Sequence, residues 1–270
     1  MESQLIQGSL SPDIADLIDE IQVFDEIDST NLEALRQIKA GKTGTRLLVA
    51  DAQSAGRGRR DRAWISPAGG GLYMSLTRSF QSDNGAIQCL SLVTALSVLN
   101  AVESLGASGL ELKWPNDILV GNRKLAGILL ELLAGDEESH LVFGIGLNLS
   151  LTKEDQARID RPVTDLESIL EATTNCPNAS IVVAEIVNQL IQNILLFEQQ
   201  GFAPFAEAWN AYDRYLNRDI VIQAGNTRTI GRSLGVDGDG ALILQSAAGR
   251  ERITGGEIFP SLSELGESSD

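Results

Sequence analysis

Four strand-like runs between residues 110 and 149 constrain the fold of this chain more than any other feature. Residues 110–114, 118–120 and 124–133 alternate with turn-forming sequences, so we expect them to pair as neighbouring hairpin strands. Residues 141–149 are nearly all apolar, which is typical of a strand without a polar face. The region therefore predicts a sheet in which residues 141–149 occupy a central position.

Helical and strand patterns alternate in the rest of the first 216 residues. Thr30 and Glu33 have the spacing of a capping box, which predicts a helix that begins near residue 30. Residues 72–77 alternate as in a half-buried strand. Another strand is predicted at residues 47–52, and helices at residues 86–105 and 153–215. These patterns predict a mixed-sheet α+β domain over residues 1–216.

The composition changes after Asn217. Short strand-like runs at residues 220–223, 229–234 and 241–245 are separated by glycine-containing turns, a spacing that suggests a small barrel. We therefore predict a second domain over residues 217–270, consisting of a small β-barrel and a polar tail.

Charge and histidine content exclude several classes of function. The 37 acidic residues exceed the 21 Lys and Arg, and the net charge of −16 disfavours generic binding to nucleic acid or anionic membranes. Cys89, Cys176 and the single histidine, His140, cannot supply the four ligands of a structural zinc site. We expect His140 to be exposed at a strand end rather than to act as a catalytic base.

Targeting and membrane signals are weak in this sequence. The first twenty residues carry five acidic side chains and no Lys or Arg, unlike a signal or transit peptide. The most apolar window, residues 86–102, is interrupted by polar side chains and falls short of a membrane span. We therefore expect a cytoplasmic protein with reduced cysteines.

A cluster of arginines and glycines follows the strand predicted at residues 47–52. It consists of Gly56, Arg57, Gly58, Arg59, Arg60 and Arg62. Guanidinium groups form charge-assisted bonds with phosphate, and glycine lets backbone amides approach a ligand, so the segment suits a compact polyanion. The alternative interpretation is a solvated basic loop. The segment does not match the glycine motif of dinucleotide-binding proteins, because Asp61 occupies the position of its third glycine.

Polar residues also follow the strand that ends near residue 114. Asn116 and Asp117 lie in the turn at its carboxyl end, where ligands commonly bind, and Lys113 precedes them. Asn and Asp are also common turn formers after proline, so the position alone leaves a structural role open. Lys124 enters an apolar strand, where a lysine whose head group reaches solvent is the ordinary interpretation.

Taken in order, these segments resemble the biotin protein ligase family. The resemblance extends from about residue 25 to about residue 260, and two of its blocks are too long for chance. The matching blocks are residues 29–31, 53, 56–60, 64, 66–67, 71–73, 113–117, 123–129 and 144–148. The resemblance implies a catalytic domain of the biotin/lipoate ligase type and an SH3-like C-terminal barrel.

Members of this family join biotin to one lysine of the biotin carboxyl carrier protein of acetyl-CoA carboxylase, using ATP and Mg²⁺ through biotinyl-5'-adenylate. By similarity, the uncharged ureido ring of biotin would be bound by neutral donors and acceptors on Ser29, Thr30, Asn31 and Gln53. The biotin carboxylate is itself a nucleophile at neutral pH. Adenylation therefore requires positioning and charge neutralisation rather than a base.

The resemblance also assigns roles to the charged residues. Residues 56–62 resemble the adenylate-binding loop of the family, whose arginines are candidates to bind the biotin carboxylate and the phosphates. Lys124 aligns with the lysine that contacts the carboxylate and the α-phosphate, and together with Arg59 and Asp117 it forms the predicted catalytic set. Asp117 would either bind Mg²⁺ or accept the proton of the incoming lysine, and the sequence leaves both roles open.

The remaining implied contacts surround the nucleotide. Trp64 would cover the adenine and Asn148 would bind its edge. Asn116 would sit with Asp117 as a polar partner to the nucleotide, and Lys113 is a further candidate binding residue. Three glycines are expected to clear space for biotin and adenylate beside the sheet, namely Gly127, Gly144 and Gly146. We expect the loop over residues 54–66 to be mobile without ligand and to order over the adenylate.

One substitution and the short N-terminal segment distinguish this chain from some family members. Asp61 stands where some members have glycine, and we expect its carboxylate to cap the loop or to pair with Arg62. Fewer than thirty residues precede Ser29, too few for the winged helix-turn-helix of members that also repress transcription. We therefore expect a monofunctional ligase that does not bind DNA or membranes.

Three other functions are compatible with parts of the pattern. The nearest is a lipoate or octanoate ligase, which would share the catalytic fold. A biotin sensor without turnover would not need the full set of Lys124, Arg59 and Asp117. A nucleic-acid binder would have to use the arginine loop against the charge of the whole chain. The sequence leaves open whether the protein is a monomer or a homodimer.

Overall fold

The larger sheet contains seven strands in the part of the chain that the computed structural model describes, residues 1–81, 89–135, 138–170 and 176–259. The strands are β1 Glu20–Ile27, β2 Arg46–Gln53, β3 Gly71–Gln81, β4 Leu110–Lys113, β5 Asp117–Val120, β6 Arg123–Leu133 and β7 Glu138–Asn148. Their order is β1-β2-β3-β7-β6-β5-β4. Only β1 and β2 pair in parallel, so the predicted mixed sheet is confirmed.

Strand β7 lies at the centre of this sheet, as its apolar sequence predicts. It pairs with β3 from Gly71 opposite Asn148 to Gln81 opposite Glu138, and with β6 on its other side. The predicted hairpin pairing of β4, β5 and β6 is also confirmed. This register places Lys113, at the end of β4, and Asp117, at the start of β5, in one row with Gly127 on β6 and Gly146 on β7.

The helix near residue 30 begins as predicted, but its cap is the preceding residue. Helix α3 spans Thr30–Lys39, and the Ser29 side chain accepts a hydrogen bond from the backbone of Leu32. The predicted capping box on Thr30 is therefore wrong, and the Thr30 hydroxyl is free of that role. Ser29 and Thr30 are both good N-cap residues, which is why sequence spacing alone could not separate them.

Strand β3 is buried on both faces rather than on one. Tyr73, Ser75 and Thr77, the more polar half of the alternating pattern, are at most 2% exposed. Helix α3 covers this face, where Ala34 and Ile38 pack with apolar residues of the sheet. The predicted half-buried strand is wrong. A local alternation of polar and apolar residues does not show that a helix from another part of the chain will cover the polar face.

The other α-helices of the described residues are α1 Ser3–Ser9, α2 Pro12–Ala15, α4 Leu90–Ser104, α5 Lys153–Arg158, α6 Leu166–Ile169, α7 Ala179–Gln200 and α8 Ala203–Tyr212. All of them except α5 contribute buried side chains to the main core, on the face of the sheet opposite α3. The helical pattern predicted over residues 153–215 is thus divided into separate helices. The predicted start of the helix at residue 86 lies outside the described residues.

Helix α7 is long and apolar enough to cross a membrane by length and composition alone. Its buried residues, from Val182 to Phe197, pack in the same core as those of α4. This burial accounts for its apolar composition. The N-terminal helices rest on the same helix, where the Glu2 amide donates to Ser180 Oγ and the Ser11 amide to Asn188 Oδ1, at 2.9 and 3.0 Å.

The C-terminal sheet is antiparallel and confirms the predicted small β domain. Its strands, in the order β11-β10-β9-β8-β12, are β8 Asp219–Ala224, β9 Thr227–Val236, β10 Leu242–Ser246, β11 Gly249–Ile253 and β12 Glu257–Phe259. The domain division near residue 217 stays a prediction. The predicted tail lies outside the described residues.

The single histidine is not the exposed residue that the sequence predicts. His140 is half-buried in β7, and its Nδ1 lies 2.8 Å from the hydroxyl of Ser79 on the neighbouring strand. It contributes to neither cavity of the candidate site described below.

Candidate active site

Two adjoining cavities lie beside the row of residues that joins β4, β5, β6 and β7. The larger has a volume of about 300 Å³ and the smaller about 60 Å³. They share five lining residues, Gly58, Arg59, Trp64, Asn116 and Lys124. All five belong to the predicted site, so the sequence motifs converge where the two cavities meet.

The other predicted residues divide between the two cavities. The smaller is also lined by Ser29, Thr30, Asn31, Gln53, Arg57, Gly127, Gly144 and Gly146. The larger is also lined by Arg62, Asp117 and Asn148. Gly56, Arg60 and Lys113 line neither cavity.

The smaller cavity has a neutral polar wall at the start of α3. The backbone amide of Thr30 donates to Gln53 Oε1 at 2.9 Å, and Gln53 Nε2 donates to the Ser66 hydroxyl at 3.1 Å. Ser29 is 2% exposed, and because its oxygen serves the helix cap, its hydroxyl hydrogen remains available. These groups can bind an uncharged ring through directed hydrogen bonds.

Two residues behind this wall were not predicted from the sequence. The fully buried hydroxyl of Ser75 donates to Asn31 Oδ1 at 2.6 Å and lies 2.8 Å from the Thr30 hydroxyl oxygen. The Glu131 carboxylate accepts from Asn31 Nδ2 at 2.8 Å and from Arg57 at 3.0 Å. Ser75 lies in an alternating strand and Glu131 in an apolar one, so neither stands out by local pattern.

The three predicted glycines make room for side chains of the protein itself. Gly127 on β6 faces Gly146 on β7, and a Cβ atom at these positions would lie 2.9 and 2.5 Å from the Trp64 ring. A Cβ atom at Gly144 would overlap the amide of Asn31. The close approach expected at these positions is therefore made, in this structure, by Trp64 and Asn31.

Trp64 forms the floor that both cavities share. The Lys124 ammonium lies 5.1 Å from the centroid of its ring, which is a cation–π distance. The indole Nε1 is buried without a hydrogen-bond partner among the described residues. Because a buried indole N–H normally finds a partner, this donor fits a ligand group.

Charged groups from three strands meet beside Trp64. Lys124 Nζ forms an ion pair with Asp117 at 2.7 Å, and Asp117 stands opposite Lys113 in the pairing of β4 with β5. Burial lowers the pKa of Lys113 below its ordinary value, although the Asp117 carboxylate partly offsets this. The cluster places the Lys124 ammonium against the Asp117 carboxylate in the lining of the larger cavity, with Lys113 on the neighbouring strand.

The arginine loop folds as a short hairpin over this cluster. Its glycine amide at position 58 donates to the carbonyl of Arg62 at 2.7 Å, so this amide is not free to bind phosphate as the sequence suggests. Arg60 and Asp61 have left-handed φ angles of 56° and 57°. Glycine adopts this conformation without steric cost, and Asp is one of the few other residues that visit it.

Three of the four loop arginines contact the C-terminal sheet or the residue that precedes its last strand, whereas Arg57 pairs with Glu131 on β6. Arg59 donates to Asn116 Oδ1 at 3.1 Å and to the Gly256 carbonyl at 3.4 Å, and burial lowers its pKa. Arg60 and Arg62 pair with Glu257 at 2.9 and 2.7 Å. The expected pairing of Asp61 with Arg62 is wrong because Glu257 occupies that guanidinium, and the Asp61 side chain is exposed.

The far wall of the larger cavity was also not predicted. Residues Arg158, Ile159, Asp160, Arg161 and Val163 form it after the end of α5. The segment is attached to β6, because the Lys124 amide donates to the Pro162 carbonyl at 3.0 Å. Asn148 Nδ2 donates to the Thr164 carbonyl at 2.9 Å, which leaves the Asn148 amide oxygen as its free acceptor.

A metal would have one protein carboxylate at the junction of the cavities. In the described residues no group of three or more His, Cys, Asp or Glu side chains could hold a metal ion. Mg²⁺ commonly binds one or two carboxylates and completes its shell with water and substrate phosphates. The Asp117 carboxylate therefore fits Mg²⁺ only as part of a nucleotide complex.

Comparisons with known proteins agree with this geometry. A model described as the biotin/lipoate A/B protein ligase family matches residues 23–148, and one for the biotin protein ligase C terminal domain matches residues 215–259. The biotin–[acetyl-CoA-carboxylase] ligase of Paracoccus denitrificans is 34% identical over 237 residues, which cover 86% of this chain and 97% of the relative. The chain belongs to the biotin protein ligase family.

Other relatives support this membership. The bifunctional ligase/repressor BirA of Escherichia coli is 35% identical over 240 residues, covering 88% of this chain and 73% of BirA. The biotin protein ligase of Aquifex aeolicus in complex with biotin and ATP superposes with a TM-score of 0.74 at 28% identity, covering 89% of this chain and 98% of that structure. The family resemblance and the fold predicted from the sequence are both confirmed.

Proposed function

We propose that this biotin protein ligase activates biotin with ATP to biotinyl-5'-adenylate and transfers the biotinyl group to a lysine of the biotin carboxyl carrier protein of acetyl-CoA carboxylase. The observation that carries the proposal is the junction of the two cavities. There Lys124 and Arg59 separate a neutral polar cavity from a larger one with an aromatic floor. A ligand with three parts matches these surroundings: an uncharged ring in the smaller cavity, a reacting anion at the junction and a nucleotide in the larger cavity.

The ureido ring of biotin occupies the smaller cavity. Ser29 donates to the ureido oxygen, and the hydroxyl of Thr30 accepts from a ureido N–H, while Asn31 and Gln53 hold these groups in place. The walls are already connected by hydrogen bonds, so little side-chain entropy is lost on binding. The biotin carboxylate then points toward Arg57 and Lys124.

Adenylation takes place at the junction. A carboxylate oxygen of biotin attacks the α-phosphorus of ATP, and pyrophosphate leaves. Lys124 and Arg59 hold the two anions in line and neutralise the charge that builds up on the phosphoryl oxygens. Asp117 together with the phosphate oxygens would hold Mg²⁺, which supplies further neutralisation of the leaving pyrophosphate.

The nucleotide occupies the larger cavity. The adenine lies against Trp64, and the free amide oxygen of Asn148 accepts from its amino group. Arg60 and Arg62 bind the outer phosphates after exchanging Glu257 for them. Asn116 holds the Arg59 guanidinium from within the lining, and Lys113 supports Asp117 from the neighbouring strand. Gly56 and Gly58 shape the hairpin, and closure of residues 54–66 over the adenylate keeps water from hydrolysing it.

Transfer completes the reaction. The amine of the carrier lysine attacks the carbonyl carbon of the adenylate, and AMP leaves. The proton released by the amine is accepted at the junction, where Asp117 is the carboxylate nearest to Lys124. Asp117 thus has two proposed roles, and Asp117→Asn separates them: loss of adenylation indicates the metal role, whereas loss of transfer alone indicates the proton role.

The test is a direct assay of both products. The purified protein is incubated with ATP, Mg²⁺ and radiolabelled biotin, with and without a carrier domain. We expect biotinyl-adenylate in both reactions and biotinylated carrier only in the second, with lipoate inert. Adenylate without transfer would support a sensor, turnover of lipoate would support a lipoate ligase, and no adenylate would contradict the proposal.

We also propose that the protein works in the cytoplasm and binds no DNA. The net charge of −16 supports the second point, because non-specific DNA affinity depends on a positive field. An electrophoretic mobility shift measured at low salt tests it. Retardation of duplex DNA that declines steeply with added salt would contradict it.

A further inference from the structure

The side chains of the biotin cavity depend on a carboxylate that the cavity does not contain. Glu131 is on β6, and its side chain is 19% exposed. It is absent from the lining of both cavities, yet each of its oxygens binds a residue that lines the smaller one. Such a residue can act on a ligand only through its neighbours.

The two bonds of Glu131 are made to the two ends of the cavity. Oε2 accepts from Asn31 Nδ2 at 2.8 Å, and Oε1 accepts from Arg57 Nη1 at 3.0 Å. Asn31 is 5% exposed at the start of α3, and Arg57 belongs to the arginine loop. One carboxylate therefore connects the ring-binding wall to the loop that closes over the adenylate.

The connection through Glu131 determines which groups donate and which accept along the chain from Asn31 to Thr30. A carboxylate is only an acceptor, so Asn31 directs its NH₂ toward Glu131 at 2.8 Å, with the Leu129 carbonyl a longer second acceptor at 3.3 Å, and its Oδ1 toward Ser75. The single hydroxyl hydrogen of Ser75 is then used on Asn31 Oδ1, at 2.6 Å. Ser75 Oγ, 2.8 Å from Thr30 Oγ1, is left to accept the hydrogen of Thr30, for which Gln53 Oε1 at 3.3 Å is the longer alternative acceptor.

The consequence reaches the ligand at Thr30. Once its hydrogen is used on Ser75, the Thr30 oxygen presents lone pairs to the cavity that it lines. It is then an acceptor, which is the group that a ureido N–H requires. Reversal of the Asn31 amide would turn the Ser75 hydrogen onto the Thr30 oxygen, and this would occupy one of the lone pairs that the ureido N–H requires.

We infer that Glu131 is a positioning residue for biotin, fixing the orientation of the Asn31 amide and the place of the Arg57 guanidinium. This inference rests on the proposed function. Glu131→Gln is the sharpest variant because it keeps the shape but offers one NH₂ group. If the new NH₂ group faces Asn31, it meets the Asn31 NH₂ and favours reversal of that amide. If it faces Arg57, it meets the guanidinium, and two hydrogen-bond donors oppose each other.

The experiment compares biotin binding with ATP use. Isothermal calorimetry gives the Kd of the wild-type protein and of E131Q for biotin alone, and pyrophosphate release gives the KM for ATP. We expect the biotin Kd to rise at least about tenfold, the size of one charge-assisted hydrogen bond, and the ATP KM to stay within about twofold. An unchanged biotin Kd, or an equal rise in both constants, would overturn the inference.

A second measurement tests whether Glu131 acts through Asn31. The double variant E131Q with Asn31→Ala should bind biotin no more than about threefold more weakly than the weaker of the two single variants, because both remove the same connection. Fully additive losses would overturn the inference. Glu198→Gln is the matched control: it breaks an ion pair with Arg78 at 2.9 Å, outside both cavities, and should leave the biotin Kd unchanged.

Folding and function are separated by two further outcomes. If E131Q does not fold, Glu131→Asp replaces it, since it keeps the charge but cannot reach both partners, and it too must weaken biotin binding. A wild-type protein that binds biotin but forms no adenylate would contradict the proposed ligase while the Kd comparison still decides the role of Glu131. A wild-type protein that binds no biotin would contradict both.

Discussion

The two cavities bind their ligands by different physical means. Away from the junction, the smaller is built mainly from neutral groups that are already hydrogen-bonded to each other, such as Thr30, Gln53 and Ser75. The larger is built from ions whose present partners are other ions, such as Arg62 with Glu257 and Lys124 with Asp117. One is a fixed network, and the other is a set of exchangeable pairs.

This difference follows from what each cavity must hold. An uncharged ring gains little from electric fields, so its recognition depends on donors and acceptors that are fixed in advance. Phosphates carry enough charge to displace a carboxylate from an arginine, so the cations need only to be available. We therefore expect substitutions in the smaller cavity to change biotin binding selectively, and those in the larger to change ATP binding.

The largest effect is expected where the cavities meet. Lys124→Met removes the ammonium that faces both ligands, and loss of one preorganised charge donor typically lowers kcat by 10² to 10³. Pyrophosphate release should show a fall in kcat of at least about 100-fold. Lys42→Met, at an exposed position between α3 and β2, is the control. A kcat within tenfold of wild type would contradict the role of Lys124.

The next largest effect is expected at the shared floor. Gly146→Ala places a Cβ atom 2.5 Å from the Trp64 ring, which must move, and such overpacking costs about 1–3 kcal/mol. Because Trp64 lines both cavities, the KM values for biotin and ATP should both rise about tenfold. Gly8→Ala, where a Cβ atom meets nothing within 4 Å, is the control. Two unchanged KM values in a folded variant would show that Trp64 does not serve both ligands.

An effect on one ligand alone is expected in the smaller cavity. Ser75→Ala breaks the buried bonds to Asn31 and Thr30, and leaving such groups unsatisfied costs about 1–3 kcal/mol. The biotin KM should rise about tenfold, with the ATP KM within about twofold. Ser97→Ala is the control, because this equally buried hydroxyl bonds only within the helical core. An equal change in both KM values would remove the distinction between the cavities.

The smallest effect is expected at the exchangeable pairs. Glu257→Gln frees Arg60 and Arg62, and since these pairs are partly exposed they are worth at most about 1 kcal/mol each. The KM for ATP should fall about two- to fivefold, while the biotin KM is unchanged. Asp219→Asn removes one charge from the same sheet without touching the loop, and should have no effect. A rise in the ATP KM would mean that Glu257 supports the loop rather than competing with phosphate.

Sequence reasoning located the parts of the site that are contiguous in the chain. The arginine loop, the residues from Lys113 to Asp117, and Lys124 each stand out within a few positions, and all lie at or behind the junction. The central strand was predictable for the same reason, since its apolar run is local. The resemblance to the family predicts that these segments form one site, although the sequence contains no information on the distances between them.

The unpredicted residues are those placed by long-range pairing. Ser75 reaches Asn31 because β3 pairs with β7 and α3 packs over both, and Glu257 reaches the loop because the C-terminal sheet lies beside it. No local period encodes such contacts. The predicted position of the helix cap is wrong for a different reason: Ser29 and Thr30 are adjacent and equally suited to cap the helix.

The most direct measurement is a crystal structure of the protein with biotinyl-5'-adenylate bound. The account predicts the ureido ring between Ser29 and Thr30, the phosphate beside Lys124, and the adenine against Trp64, with Glu257 released from Arg62. A ligand bound in the reverse direction, with adenine in the smaller cavity, or a phosphate away from Lys124, would contradict the division between a neutral and an ionic cavity.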